Sequence, residues 1–281
     1  MNRRTFIKAL ALGFIQCSSA RGVFARQLMN PSSNMPEIHD DYIKDYLHKM
    51  SNFEKPHKDD IYVPGSMDSI FTAIVMKLRR LQSFVGHGNF QTFGFDAGLR
   101  VARLYPEVGA FTKAEKRYME MIFYSQAERY GFFAEKPLKD LTSRIKQKDI
   151  AKAPNSPIYL YKGTPFEIYN KLKQQIGDQL ILTSGVRGIM KQFLLFFNKA
   201  YANNGNLSLA SRSLAPPGHS YHGIGDFDVG QVGMGAENFS KSFANTEVFE
   251  KLNALGYIRL RYPDKNFLGV RFEPWHIKVN T

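Results

Sequence analysis

The sequence predicts an α+β protein: a small antiparallel sheet with flanking helices in the C-terminal part, preceded by a helix-rich N-terminal region. Three observations predict it. Over 66–84 the apolar positions fall at helical spacing, and two helix-capping patterns follow before about residue 176. From Gln179 onward, short apolar runs of strand length alternate with helical ones. Finally, the turn Pro263-Asp264-Lys265-Asn266 separates two short runs, which predicts a hairpin. Along the chain the expected units are a signal segment at 1–25, a linker and first helix at 26–65, a helix-rich accessory region at 66–160 and a C-terminal core at 161–281.

Residues 26–65 open with the polar stretch Asn30-Pro31-Ser32-Ser33-Asn34 and lead into a helix near 40–50. Over 66–84, Ile70, Phe71, Ile74, Val75, Leu78 and Leu81 repeat with a helical period. The cluster Lys77, Arg79 and Arg80 lies opposite and reads as a solvated face. Gly86, Gly88, Gly94 and Gly98 mark an aromatic-rich turn region, where His87 is read as structural or cleft-lining. Thr112-Lys113-Ala114-Glu115 is a capping box opening a helix to about Tyr130, and Thr164-Pro165-Phe166-Glu167 is a second, opening one to about Gln175.

Gln179 to Thr183 is a strand candidate, and a helix follows from about Gly188 to Ala202. Asp226 to Val232 is the next strand. Asn245-Thr246 caps a helix that Gly256 ends. Tyr257 to Arg261 and Phe267 to Phe272 form the arms of the expected hairpin.

Composition narrows the function. The formal charge is +13, and the first 25 residues contribute Arg3, Arg4, Lys8 and Arg21 with no acid. Such a balance suits a polyanionic neighbourhood. No basic run with interleaved aromatics occurs, so nucleic acid is not the expected partner. Asn2-Arg3-Arg4-Thr5-Phe6-Ile7-Lys8, followed by the apolar stretch Ala9 to Ile15, resembles a twin-arginine export signal, with small residues offering cleavage after Ala20 or Ala25. No stretch reaches the roughly 18 apolar residues of a bilayer span, so no stable span is expected once the signal is removed. The expected location is the periplasm or another exported compartment. Cys17, the only cysteine, lies inside that signal. The processed chain then has no disulfide and no thiol nucleophile, and any metal must be held by His and carboxylates.

Histidine, glycine and carboxylate concentrate in Pro216-Pro217-Gly218-His219-Ser220-Tyr221-His222-Gly223-Ile224-Gly225-Asp226-Phe227-Asp228-Val229. Glu273-Pro274-Trp275-His276 sets a carboxylate three residues from an imidazole around a rigid proline. Two His and one Asp are a donor set for a catalytic zinc site, with Glu273 as a base; histidines serving only to structure a loop are the competing reading.

Three motifs then occur in order. Ser184-Gly185-Val186-Arg187 with Gln192, Ser220-Tyr221-His222 with Gly225 and Asp228-Val229, and Glu273-Pro274-Trp275-His276 together resemble the signatures of zinc D-alanyl-D-alanine carboxypeptidases of the VanY type, over roughly residues 180–280. The resemblance implies a LAS-type fold. It also implies Zn2+ held by His222, Asp228 and His276, Glu273 as general base, and Arg187 in a catalytic and substrate-binding role. Gln192 and Ser220 would hydrogen-bond the peptide end, and Trp275 would pack behind the ligands.

The family usually spaces its His and Asp by seven positions, whereas His222 to Asp228 is six. Asp226 is therefore a rival ligand; Val229 after Asp228 favours the latter, leaving Asp226 as an acceptor behind the ligands. His219 is expected at the surface or on the substrate side. The partners implied are peptidoglycan stem peptides, and the activity implied is removal of a terminal D-Ala. An L,D-carboxypeptidase, an endopeptidase and a catalytically inactive wall-binding module are the alternatives.

Overall fold

The structure is a computed structural model that describes residues 40–279; the predicted signal at 1–25 lies outside the described residues. Five helices come first: α1 (Asp40–Ser51), α2 (Asp68–Val85), α3 (His87–Phe90), α4 (Phe95–Leu104) and α5 (Lys113–Tyr124). A small hairpin follows, β1 (Ile150–Lys152) and β2 (Tyr159–Tyr161). The remainder is α6 (Thr164–Ile176), β3 (Leu180–Ser184), α7 (Ile189–Tyr201), α8 (Leu207–Ser211), β4 (Phe227–Gln231), α9 (Glu247–Ala254) and β5 (His276–Ile277). The architecture is mixed, with a helix-rich N-terminal region and small antiparallel sheets. No described helix is long and apolar enough to cross a membrane.

Two cores organise it. In the first, α2 buries Phe71, Ile74, Val75, Leu78 and Leu81 along one stripe. Against that stripe lies α7, which buries Met190, Phe193, Leu194, Phe196 and Phe197. The Thr112 capping box forms in both directions: the Thr112 hydroxyl accepts from the Glu115 N–H at 3.2 Å, and Glu115 accepts from the Thr112 N–H at 2.8 Å. This helix stops at Tyr124, and Ala127–Tyr130 forms a separate 3-10 turn. Helix α4 is absent from the sequence reading, because Gly98 looks like a turn residue. In the fold it sits mid-helix where Met190 crosses; a Cβ there would lie 2.5 Å from Met190 Cε.

The second core is the three-stranded sheet β3-β4-β5, all antiparallel with β4 in the middle. Leu180, Leu182, Phe227, Val229 and Ile277 pack with Tyr169, Leu172 and Ile176 of α6 and with Val248 and Leu252 of α9. Alternation along β4 then sends Asp226 and Asp228 to the other face. Register places Ser184 and His276 on either side of Asp228.

Three local expectations are corrected. The second capping box does not form: Gly163, at φ 76°, is the N-cap, and Thr164 is already helical with no side-chain cap. Residues 257–261 do not pair with 267–272. Instead the Arg261 N–H donates to His276 O at 3.1 Å and the Lys278 N–H to Arg259 O at 2.8 Å, since β5 leaves an open edge beside them. The 267–272 arm is drawn elsewhere, with the Phe133 N–H donating to Leu268 O and the Arg271 N–H to Arg212 O. Third, the basic cluster on α2 is not simply solvated. Lys77 pairs with buried Glu115 at 2.7 Å, Arg80 donates to Val108 O, and Arg79 donates to Asn198.

The segment before α2 is tied down. Tyr46 donates to Asn266 O at 2.8 Å and accepts from the Gly269 N–H at 3.0 Å. Asp60 receives a two-pronged contact from Arg212 at 2.7 and 2.9 Å, and Arg212 also donates to Phe53 O and Lys55 O.

Candidate metal centre

His222 lies on a 3-10 turn, Tyr221–Gly223, between glycines that let the chain fold back over the sheet. Its Nδ1 donates to Gly185 O at 2.8 Å, which fixes the tautomer and leaves the Nε2 lone pair free. That Nε2 lies 3.3 Å from Asp228 Oδ2. From the other side comes His276, whose Nδ1 is 3.6 Å from Asp228 Oδ1 and 3.1 Å from Glu273 Oε2. All four side chains are buried.

Among the described residues, His222, Asp228 and His276 are the one group whose donor atoms converge as a metal site requires, all within 4.8 Å of one another. Zinc bonds near 2.0–2.1 Å in a tetrahedron set ligand atoms about 3.3–3.4 Å apart, which the 3.3 and 3.6 Å pairs approach. Asp228 Oδ1 is moreover a buried oxygen with no hydrogen-bond partner. A buried carboxylate oxygen left alone is costly, and a cation at this point removes the cost. The residues fit zinc.

Asp226 is engaged differently. It accepts from Arg261 Nε and Nη2 at 2.7 and 3.0 Å, from the Val279 N–H at 2.9 Å, and lies 3.2 Å from His276 Nε2. Its oxygens are thus consumed, and it orients the far nitrogen of His276 so that Nδ1 faces Asp228. Arg261 stacks in turn on Tyr221, 3.6 Å from the ring centre. Arg261 escapes a motif search because its link to Asp226 depends on the pairing of 259–261 with 276–278.

The electrostatics follow from burial and these contacts. Burial opposes charge on His276, but hydrogen bonds to Asp226 and Glu273 outweigh it and raise its pKa to about 9. Burial and Arg187 hold His222 below its ordinary value. Asp228 stays well ionised: burial alone would raise its pKa, and His222, His276 and Arg187 more than reverse that.

Arg187 follows β3. Its Nη2 donates to Ser184 Oγ at 3.0 Å and lies 3.6 Å from Asp228 Oδ2, so the guanidinium borders the centre. Gln192 is more committed than its motif suggests, since Nε2 donates to Arg187 O at 2.9 Å while Oε1 accepts from the Gly218 N–H at 2.9 Å. It braces two loops of the site. Ser220 is buried directly before the His222 turn, and Trp275 is buried in the sheet core. His219, expected at the surface or on the substrate side, is buried edge-on to Phe132; burial, assisted by Lys136, lowers its pKa to about 4.

The sequence pattern of the VanY family, D-alanyl-D-alanine carboxypeptidase, matches residues 164–280. The matched region holds β3, β4, β5 and every residue of the centre, while α1 to α5 precede it. No curated protein matches the chain. Among solved structures, the LdcB LD-carboxypeptidase is 23% identical over 43% of this chain and 58% of its own, at a TM-score of 0.38. A variant of the vancomycin resistance D,D-pentapeptidase VanY, in complex with Zn(II), is 24% identical over 46% of this chain and 76% of its own, at 0.36. VanYB in complex with D-alanine-D-alanine is 21% identical over 52% of this chain and 82% of its own, at 0.37. The chain thus spans 58% of the length of the first of these.

Proposed function

We propose that the chain is an exported zinc-dependent D,D-carboxypeptidase that removes the terminal D-Ala from peptidoglycan stem peptides. The observation that carries this reading is the convergence of His222 Nε2, Asp228 and His276 Nδ1, with Glu273 beside them, inside the VanY-family region. His222, Asp228 and His276 would hold the zinc, which would supply Lewis-acid polarisation of a carbonyl and an acidified water.

The chain's own groups do the rest. Glu273 Oε2 takes the proton of the attacking water and returns it to the leaving amine. Arg187 binds the end of the peptide through its planar, permanently charged fork. Asp226 keeps His276 Nε2 occupied, so that Nδ1 stays directed at the centre. Gln192 holds the Arg187 loop in place. The twin-arginine-type signal delivers the protein to the wall.

The test is mass spectrometry of purified muropeptides after incubation with protein and zinc. Loss of one D-Ala from pentapeptides supports the reading. Cleavage confined to tetrapeptides makes the protein an L,D-carboxypeptidase, and cleavage of crosslinks makes it an endopeptidase. A protein that binds wall material with no turnover, unaffected by Glu273→Ala, is a binding module.

A further inference from the structure

Two residues before Glu273 stands an arginine that no motif singles out. The Arg271 guanidinium is sandwiched between aromatic rings, 4.9 Å from the Phe53 ring centre and 4.8 Å from that of Trp275. Its Nε is buried without a hydrogen-bond partner. A buried N–H without a partner is costly to leave so, and the planar fork of this half-buried arginine is suited to a planar anion. It lies within electrostatic reach of Glu273, of Glu54 beside the Phe53 plate, and of Asp228. By contrast Arg187, which borders the centre, already donates to Ser184 and lies close to Asp228.

Phe53 reaches this point from far along the chain. Arg212 fixes it through the Phe53 carbonyl and Asp60, and the Arg212 carbonyl accepts the Arg271 N–H at 2.9 Å. One buried arginine therefore positions both the aromatic plate and the residue stacked on it. Phe53 lies outside the family-matched residues 164–280, so this half of the sandwich is an addition to the family region.

We propose that Arg271, stacked between Phe53 and Trp275, is a second anion-recognising residue of the peptide site and binds a carboxylate of the substrate. The assignment rests on the stem-peptide reading above. Two carboxylates offer the required chemistry: the C-terminal one and an internal one further up the stem.

Binding is best measured in the zinc-loaded Glu273→Gln protein, which does not consume its ligand. The ligands are a D-Ala-D-Ala pentapeptide and two analogues in which either the terminal or the internal carboxylate is a carboxamide. Adding Arg271→Met is expected to weaken the parent peptide by about 10- to 100-fold, the range for a hydrogen bond to a charged group. Arg271→Lys should recover part of that loss, with zinc content and melting temperature unchanged. For one carboxamide analogue the Arg-to-Met difference should vanish, which identifies the carboxylate held. Equal weakening of all three ligands, no weakening, or loss of zinc would overturn the assignment. Turnover by the wild-type protein separates the two readings. A wild type that cleaves pentapeptide with Arg271 indifferent ends this assignment alone. One that binds through Arg271 without cleaving ends the carboxypeptidase reading alone. One that neither binds nor cleaves ends both.

Discussion

At the scale of single residues, Asp226, just before β4, and Asp228, within it, share a face and still do different things. Asp228 has an oxygen with no hydrogen-bond partner beside two imidazole nitrogens, whereas both oxygens of Asp226 are saturated by Arg261, Val279 and His276. Asp228→Ala should therefore abolish stoichiometric zinc binding, measured by competition with a chromophoric chelator. Asp226→Asn should retain the ion but weaken it by about 10- to 100-fold, as changes behind the ligands do. The reverse ranking would make Asp226 the ligand. The histidines, Glu273 and both aspartates were legible in the sequence because short motifs hold them. What separates the aspartates was not, because it depends on Arg261 arriving from a segment whose pairing partner was misread. Arg271 was invisible for a similar reason, since one plate of its sandwich lies more than 200 residues away.

Elements were legible where their signals are local. The Thr112 box and the α2 stripe are complete within a few turns of chain. Helix α4 and the hairpin were misread because Met190 admits a mid-helix glycine and the β5 edge captures 259–261. The two capping boxes, alike in sequence, should separate in experiment. Thr112→Ala should cost about 1 kcal/mol in urea unfolding, whereas Thr164→Ala should cost less than about 0.5 kcal/mol because Thr164 caps nothing. Equal losses would refute the distinction. Gly185 tests the link from packing to chemistry. A Cβ there would meet Tyr159 O at 2.1 Å, and it is the Gly185 carbonyl that holds His222 Nδ1. Gly185→Ala should destabilise by about 1–3 kcal/mol and lower zinc affinity together. A destabilised protein with unaltered affinity would show that the carbonyl does not position His222.

For the whole molecule, the question is what joins the segment before α2 to the region that matches the VanY family. Sequence reads residues 26–65 as a linker and first helix, yet 46–63 is fastened by contacts to residues 205–269, which only the fold brings near. The central fastener is Arg212 with Asp60, both side chains almost fully buried at 4% and 2% exposure. Removing one partner of such a pair leaves a buried charge unmatched, so Asp60→Asn should cost about 3–5 kcal/mol at pH 7. The pH dependence has a definite sign. Burial alone would raise the Asp60 pKa, but Arg212, Asn206 and the His57 N–H hold it below the ordinary carboxylate value. A carboxylate depressed in the native state adds stability that is fully present above its unfolded value of about 3.9, and this stability is lost as pH falls through the native one. Wild type and Asp60→Asn should therefore differ by a constant amount from pH 7 down to about pH 4, and converge below it as Asp60 takes up a proton. Urea midpoints at pH 7, 5 and 3 read this directly. A gap at pH 3 as wide as that at pH 7 would mean that Asp60 fastens the segment by shape alone, with no part played by its charge.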